Sequence, residues 1–203
     1  MNTLARKLTL ADIADQRAYE RERPEFRTHM LEVRRRRRVA LGTVIAVSFE
    51  SRDTIRYQIQ EMARAERLGT DTDIQVELDT YNPLVPEPGQ LCATLFLELT
   101  SDEQMHVWLP LLVGIERHIA IRLADGTEVR AIPEAQHATQ LTREHVTSAV
   151  HYITFDFDDR ERDELAAGGA TLVIDHPAYR EDAELGDLTV RELLADLMPS
   201  PGG

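Results

Sequence analysis

The spacing of apolar and polar positions changes period several times along the chain, and each change predicts an element. After Pro24, which suits the first turn of a helix, Phe26, Met30 and Val33 recur at helical spacing and predict a helix over residues 23–37. A shorter amphipathic helix is expected before it, over 10–22, with Thr9 as N-cap. Residues 39–50 are strand-like and β-branched, broken near Gly42 into two pieces or a bulge. From Arg52 the period is helical again: Ile55, Ile59, Met62 and Ala63 share a face of a helix over 52–68. Ile74, Leu78 and Tyr81 mark a further helix over 71–81, and the proline-rich NPLVPEPGQ ends it.

Strand patterns follow at 91–99, 118–123, 150–157 and 170–174, with a weaker one at 128–132 behind an Asp-Gly turn. Helices are expected over 101–112 and 159–167. Strands and helices come in mixed order, without strict βαβ alternation. The predicted class is therefore α+β, with a mainly antiparallel sheet of five or more strands flanked by helices. Residues 1–184 are expected to form one domain. A last helix over 185–198, set off by charged residues and followed by a Pro-Gly tail, reads as a C-terminal appendage over 185–203.

Composition narrows the function classes. A net charge of −13 opposes general affinity for nucleic acid or an anionic membrane, because long-range repulsion works against phosphate contacts. The longest apolar runs fall well short of the roughly 20 residues that span a bilayer. The N-terminus has no continuous apolar stretch of the secretory kind, and Cys92 is the one cysteine, so the expected compartment is the cytoplasm and no internal disulfide is possible. There is no glycine-rich phosphate loop, no GxSxG elbow and no cysteine pair for zinc or iron–sulfur ligation. Cys92, inside a predicted strand, reads as a small apolar filler.

Two groups of residues place charge against packing. Glu66 falls between Ile55, Ile59 and Met62 on the helical face, with Arg52 near its edge, while Arg37 aligns with Phe26, Met30 and Val33 on the preceding helix. An Arg–Glu contact between the two helices is expected, either as a half-buried ion pair that fixes docking or as part of an anion site formed by Arg52, Arg56, Arg64 and Glu66. The run Arg34 to Arg38 suits a helix C-terminus, where the macrodipole favours cations. On the strands, His151 shares a face with Ile153, Phe155 and Phe157, His176 shares one with Leu172 and Ile174, and Glu116 and His118 stand two apart. Converging from separate strands, Glu116, His118, His151 and His176 would make a site for iron or another divalent metal. The alternative at each position is a core histidine bonded to a backbone carbonyl.

The segments RPEFR, RRRRVALG, FESRDTIRYQIQEMARAER, ELDTYNPLVP, LVGIERHIAI, TSAVHYITFDF and IDHPAY together resemble a bacterial family catalogued as domain of unknown function 3501, from Leu8 to Tyr179. The helix after Glu184 lies outside the resemblance. Members of that family look like neighbours of rubrerythrin-type diiron proteins and iron–sulfur oxidoreductases. The resemblance thereby implies a redox-associated, metal-binding protein acting with a rubrerythrin-like or iron–sulfur partner, in peroxide defence or electron transfer. The competing reading is a non-catalytic partner-binding or scaffold protein whose buried charges set the fold.

Overall fold

The computed structural model describes residues 6–134 and 146–198. Among the described residues, two antiparallel sheets and six α-helices make a mixed α+β fold. Helix α1 (Gln16–Arg37) leads into strand β1 (Arg38–Leu41), and β2 (Ile45–Glu50) follows after a turn. The turn needs Gly42: its φ is +66°, and a Cβ there would run into Tyr179 and Glu181. Helices α2 (Arg52–Glu66) and α3 (Asp71–Tyr81) come next, capped by Ser51 and Thr70, each accepting a backbone N–H at its helix's third position. Strand β3 (Gln90–Leu97) and helix α4 (Asp102–Leu111) precede β4 (Ile119–Arg122), β5 (Glu128–Arg130) and β6 (Ile132–Pro133). The described chain ends with β7 (Val150–Asp156), α5 (Asp159–Ala167), β8 (Thr171–His176), β9 (Tyr179–Glu184) and α6 (Asp187–Leu197).

One sheet has the order β1-β2-β3-β7-β6 and the other β5-β4-β8-β9, and every pairing is antiparallel. Period-2 alternation sends Ile45, Val47 and Phe49, Leu91, Ala93 and Leu95, and Ile153 and Phe155 to one face of the first sheet. There they share a core cluster with Ile119, Ile121, Leu172 and Ile174 of the second. The opposite face of the first sheet looks toward the helices, where Tyr152 packs against a second cluster that includes Ile55, Ile59, Leu78 and Leu84.

Three expectations change. The break expected at Pro24 is absent: a 3₁₀ turn over Leu10–Asp12 is followed by one helix that runs through the proline to Arg37. Pro24 forfeits one backbone hydrogen bond, and side chains hold the two flanking turns onto α2. Tyr19 Oη and the Arg23 guanidinium donate to Glu61, Arg56 to Glu22 and Arg64 to Glu20, all at 2.7–2.9 Å. Strand β9 lies where the sequence showed only charged spacer. It is the edge of its sheet, so only Tyr179 is buried while Arg180, Glu181, Asp182 and Glu184 face solvent, which masks the alternation and blunts the edge.

The helix set apart as an appendage, α6, buries Val190, Leu193 and Leu197 in the main core cluster. The arginine run explains how it is held, because successive helical residues turn by about 100° and so point different ways. Arg36 and Arg37 reach α6: Arg36 Nε pairs with Glu192 Oε1 at 2.8 Å, and Arg37 with Asp196 at 2.6 Å and Glu192 at 3.1 Å. The tail beyond Met198 lies outside the described residues.

Candidate ligand-binding cleft

The remaining arginines of the run face a cleft of about 680 Å³ between the helices and the outer face of the first sheet. That size is typical of small-molecule sites. Its floor follows from strand register. Arg38 pairs with Ser48, Ser48 with Thr94, and Thr94 with Tyr152, so these four residues form one row across β1, β2, β3 and β7. Because alternate residues share a face, Glu50 joins Ser48 on the cleft side of β2, and Phe96 joins Thr94 on β3. The roof and walls come from Leu31, Arg34 and Arg35 on α1, Ile55 and Gln58 on α2, Tyr81 at the end of α3, and Leu84.

The polar groups are differently engaged. Glu50 accepts hydrogen bonds from Thr54 Oγ1 and Thr94 Oγ1, both at 2.6 Å. Arg38 pairs with Glu98 and lies over the Phe96 ring, 5.4 Å from its centroid. Arg34 lies 5.0 Å over the Tyr57 ring, with Nη2 3.4 Å from Gln58 Oε1. Arg35 is exposed and makes no ion pair or hydrogen bond among the described residues. Burial pushes the Tyr81 and Tyr152 phenols above their ordinary pKa, so both remain neutral hydroxyls. The cleft thus offers cationic groups at one end, apolar and aromatic walls, and a hydroxyl- and carboxylate-bearing floor.

The arginines expected to form an anion site on α2 are each occupied by an acid. Arg52 donates to Asp12 Oδ1, Arg56 to Glu22 Oε1 and Arg64 to Glu20 Oε1, at 2.5–2.8 Å, and Arg56 also stacks over Phe26. Glu66 is exposed and pairs with neither Arg37 nor Arg52, contrary to the helix-face expectation. It does continue the Ile55/Ile59 line, but it sits in the last turn of α2, beyond the buried stretch that ends at Ala63. The α2 carboxylate that is paired with α1 is Glu61, which accepts from Tyr19 and from two nitrogens of Arg23.

The four metal-ligand candidates fall into two pairs. His151 and Glu116 meet in the core, with Nδ1 and Oε2 3.8 Å apart; His151 Nε2 lies 2.8 Å from Thr147 Oγ1 and 3.0 Å from the Ser148 carbonyl. Glu116 Oε2 is buried without a hydrogen-bond partner. Burial lowers the pKa of His151, against the pull of the Glu116 charge. Glu116 and His118 do not point the same way, because Gly114, at φ +87°, starts a 3₁₀ turn over Ile115–Arg117, so the two-residue spacing is not strand alternation there. His118 instead contacts Asp175 Oδ1 at 3.2 Å and packs edge-to-face on His176 at 4.9 Å between ring centroids. His176 uses both ring nitrogens, Nε2 against the Val113 carbonyl at 3.3 Å and Nδ1 accepting from the Ala178 N–H at 3.2 Å. Among the described residues no three His, Cys, Asp or Glu side chains converge as a metal ion requires. Of these ring nitrogens, His151 Nε2 and both nitrogens of His176 are engaged by neighbouring protein groups.

The sequence profile of the family described as "Protein of unknown function (DUF3501)" matches residues 7–197. The chain belongs to the DUF3501 family. A crystal structure described as a novel protein of unknown function from Burkholderia pseudomallei K96243 has the same fold, with a TM-score of 0.84 at 35% identity over 94% of this chain and 99% of that one. No curated protein matches the chain. The DUF3501 match extends through α6, past Tyr179 where the resemblance of motifs stopped, in keeping with the burial of that helix in the core. Among the described residues of this DUF3501 chain, no helix is long and apolar enough to cross a membrane.

Sequence reasoning singled out the inward positions of β7 and missed the outward ones. Ser48, Glu50, Thr94 and Tyr152 all occupy the alternate face of strands whose other face is aliphatic. Polar residues on the second face of strands that belong to a helix-flanked sheet are the signal that could have found the cleft.

Proposed function

We propose that this protein is a ligand-binding protein whose helix-roofed cleft takes a small organic anion. The observation that carries this reading is the cross-strand row Arg38–Ser48–Thr94–Tyr152 lying in one cleft with Arg34 and Arg35. A scaffold would gain more from aliphatics at such positions, since a polar group withdrawn from water needs a hydrogen-bond partner. Arginine at the cleft end supplies charge and directed donors for a carboxylate, sulfonate or phosphate. Binding of 1-anilinonaphthalene-8-sulfonate, an anionic apolar dye, tests the reading. Saturable binding by wild type, weakened about ten-fold in Arg34→Ala/Arg35→Ala and unchanged in the exposed control Arg21→Ala, is the expected result. Equal affinity in all three proteins would reject it.

A second reading keeps the redox setting implied by the family resemblance: a metal-binding protein, holding iron or another divalent metal, that acts with a rubrerythrin-like or iron–sulfur partner. The nearness of His118, His176 and Asp175 supports it, although His176 would have to release the Val113 carbonyl or the Ala178 N–H to become a ligand. Elemental analysis of natively purified protein tests this one. Stoichiometric metal that disappears in His118→Ala supports it, and metal-free protein with an intact fold rejects it.

A further inference from the structure

Glu50 is a part-buried carboxylate with no cation partner among the described residues. Asp12, Glu22, Glu61, Glu192 and Asp196 each meet an arginine. Glu50 meets only the hydroxyls of Thr54 and Thr94, one on each oxygen, and no arginine, lysine or histidine pairs with its carboxylate among the described residues. Arg37 touches its backbone carbonyl at 3.4 Å but is committed to Asp196 and Glu192. Two neutral donors orient a carboxylate but leave its charge uncompensated, and each oxygen retains lone pairs able to accept further bonds. The side chain lines the same cleft as Arg34 and Arg35, so the missing counter-charge can come from what the cleft holds.

We propose that the ligand of this cleft is doubly charged, with an acidic group held by Arg34 and Arg35 and an ammonium group held by Glu50. The proposal rests on the reading of the cleft as an anion site and adds the second recognition element. Glu50 lies two residues along β2 from Ser48, which sits opposite Arg38, so its backbone stands on the order of 7 Å from the row Arg38–Ser48–Thr94–Tyr152. Phe96, Tyr81 and Tyr152 line the space between and suit a flat, apolar body. The ligand class is thus an amino acid in the broad sense, an amine and an acid on opposite ends of a short, preferably aromatic, frame. Among the residues facing Glu50, Thr54 and Thr94 fix its orientation, and neither can replace the amine because neither carries charge.

Three matched probes separate the two recognition elements: 4-(aminomethyl)benzoate, which carries both groups, 4-methylbenzoate, which carries the acid, and 4-methylbenzylamine, which carries the amine. Isothermal titration of the full chain should give about ten-fold tighter binding of 4-(aminomethyl)benzoate than of 4-methylbenzoate. In Glu50→Gln the two acids should bind alike, and in Arg34→Ala/Arg35→Ala both should be lost. If 4-methylbenzoate binds wild type as tightly as the amino acid while both still need the arginines, Glu50 reads no ammonium: the proposal falls and the anion site stands. If no probe binds, or if the acids bind Arg34→Ala/Arg35→Ala unchanged, the anion site falls and takes the proposal with it. Should Glu50→Gln fail to fold, the ranking of the three probes on wild type decides alone.

Discussion

Arg37 Nη1 donates to Asp196 Oδ2 at 2.6 Å, joining two side chains 159 residues apart. Arg37 is 4% exposed, so this is a buried charge contact between the end of α1 and the last turn of α6. Burial raises the Asp196 pKa while Arg37 pulls it down, which means that the carboxylate depends on its arginine for a tolerable environment. Removing one partner of a buried pair typically costs about 3–5 kcal/mol, whereas replacing both by apolar residues can be close to neutral. Arg37→Met is therefore expected to destabilise by that amount, and Arg37→Met/Asp196→Leu to recover a large part of it. Urea denaturation midpoints measure both. A single variant within about 1 kcal/mol of wild type would show that the contact is not needed.

Between α1 and α2, the decisive carboxylate is Glu61. It accepts from Tyr19 Oη at 2.7 Å and from Arg23 at 2.8 and 2.9 Å, and the arginine and phenol together hold its pKa below the ordinary glutamate value. Hydrogen bonds to charged groups are worth about 1.5–3 kcal/mol each, less at partly exposed sites, so Glu61→Gln should cost about 1–2 kcal/mol. Glu66→Gln, on an exposed residue, should stay within about 0.5 kcal/mol. The helix-face argument from sequence predicts the opposite order. Thermal or urea melts of the two variants side by side decide between them.

That reversal illustrates what periodicity can and cannot carry. Spacing located most helices and strands to within a few residues, because burial of an apolar stripe is a local consequence of the 3.6 and 2 periods. It placed Arg37 on the buried face of α1 correctly, but not its partners, since α6 joins that face from the far end of the chain. It aligned Glu66 with Ile55 and Ile59 but held no information on where the supporting surface under α2 stops. The cleft required register as well as period: Arg38 and Ser48 meet through a local hairpin, while Thr94 and Tyr152 join the row only once β3 and β7 have paired. His151 and His176 are buried, as their alternation with apolar strand neighbours implies, whereas His118 stands half-exposed after a 3₁₀ turn over Ile115–Arg117 that alternation cannot show.

Cys92 gives a test of the first sheet's helix-facing side. It is fully buried, and burial is the main cause pushing its thiol pKa up to about 12. Since the thiolate is the reactive form, native protein at pH 8 should show negligible reaction with 5,5′-dithiobis(2-nitrobenzoate), and one thiol per chain should appear after unfolding in guanidinium chloride. Rapid reaction of the native protein would mean that the β3 region opens readily, or that Cys92 has the activated character expected of a nucleophile.

The histidines predict a pH dependence of stability in the mildly acidic range. Burial is the first cause lowering the folded-state pKa of both His151 and His176 below the ordinary value of 6.5. As pH falls through 6.5, histidines of the unfolded chain take up protons while these two resist. The unfolded state then binds more protons, and the free energy of unfolding must decrease as pH falls. The loss begins near pH 6.5 and continues down to the lowered folded-state values. Carboxylates with depressed pKa, Glu61 and Asp175 among them, lose their contribution only further down, below about 4.5. Asp196, whose pKa is raised, works in the other direction, so the histidine effect is best read as a difference between two proteins. Denaturation midpoints of wild type and His151→Gln at pH 7.5 and pH 5.5 isolate it, because glutamine cannot titrate. Wild type should lose more stability than the variant over that interval. Equal losses would show that His151 takes up its proton in the folded state, with Glu116 Oε2, 3.8 Å from Nδ1, accepting the charge that burial alone would exclude.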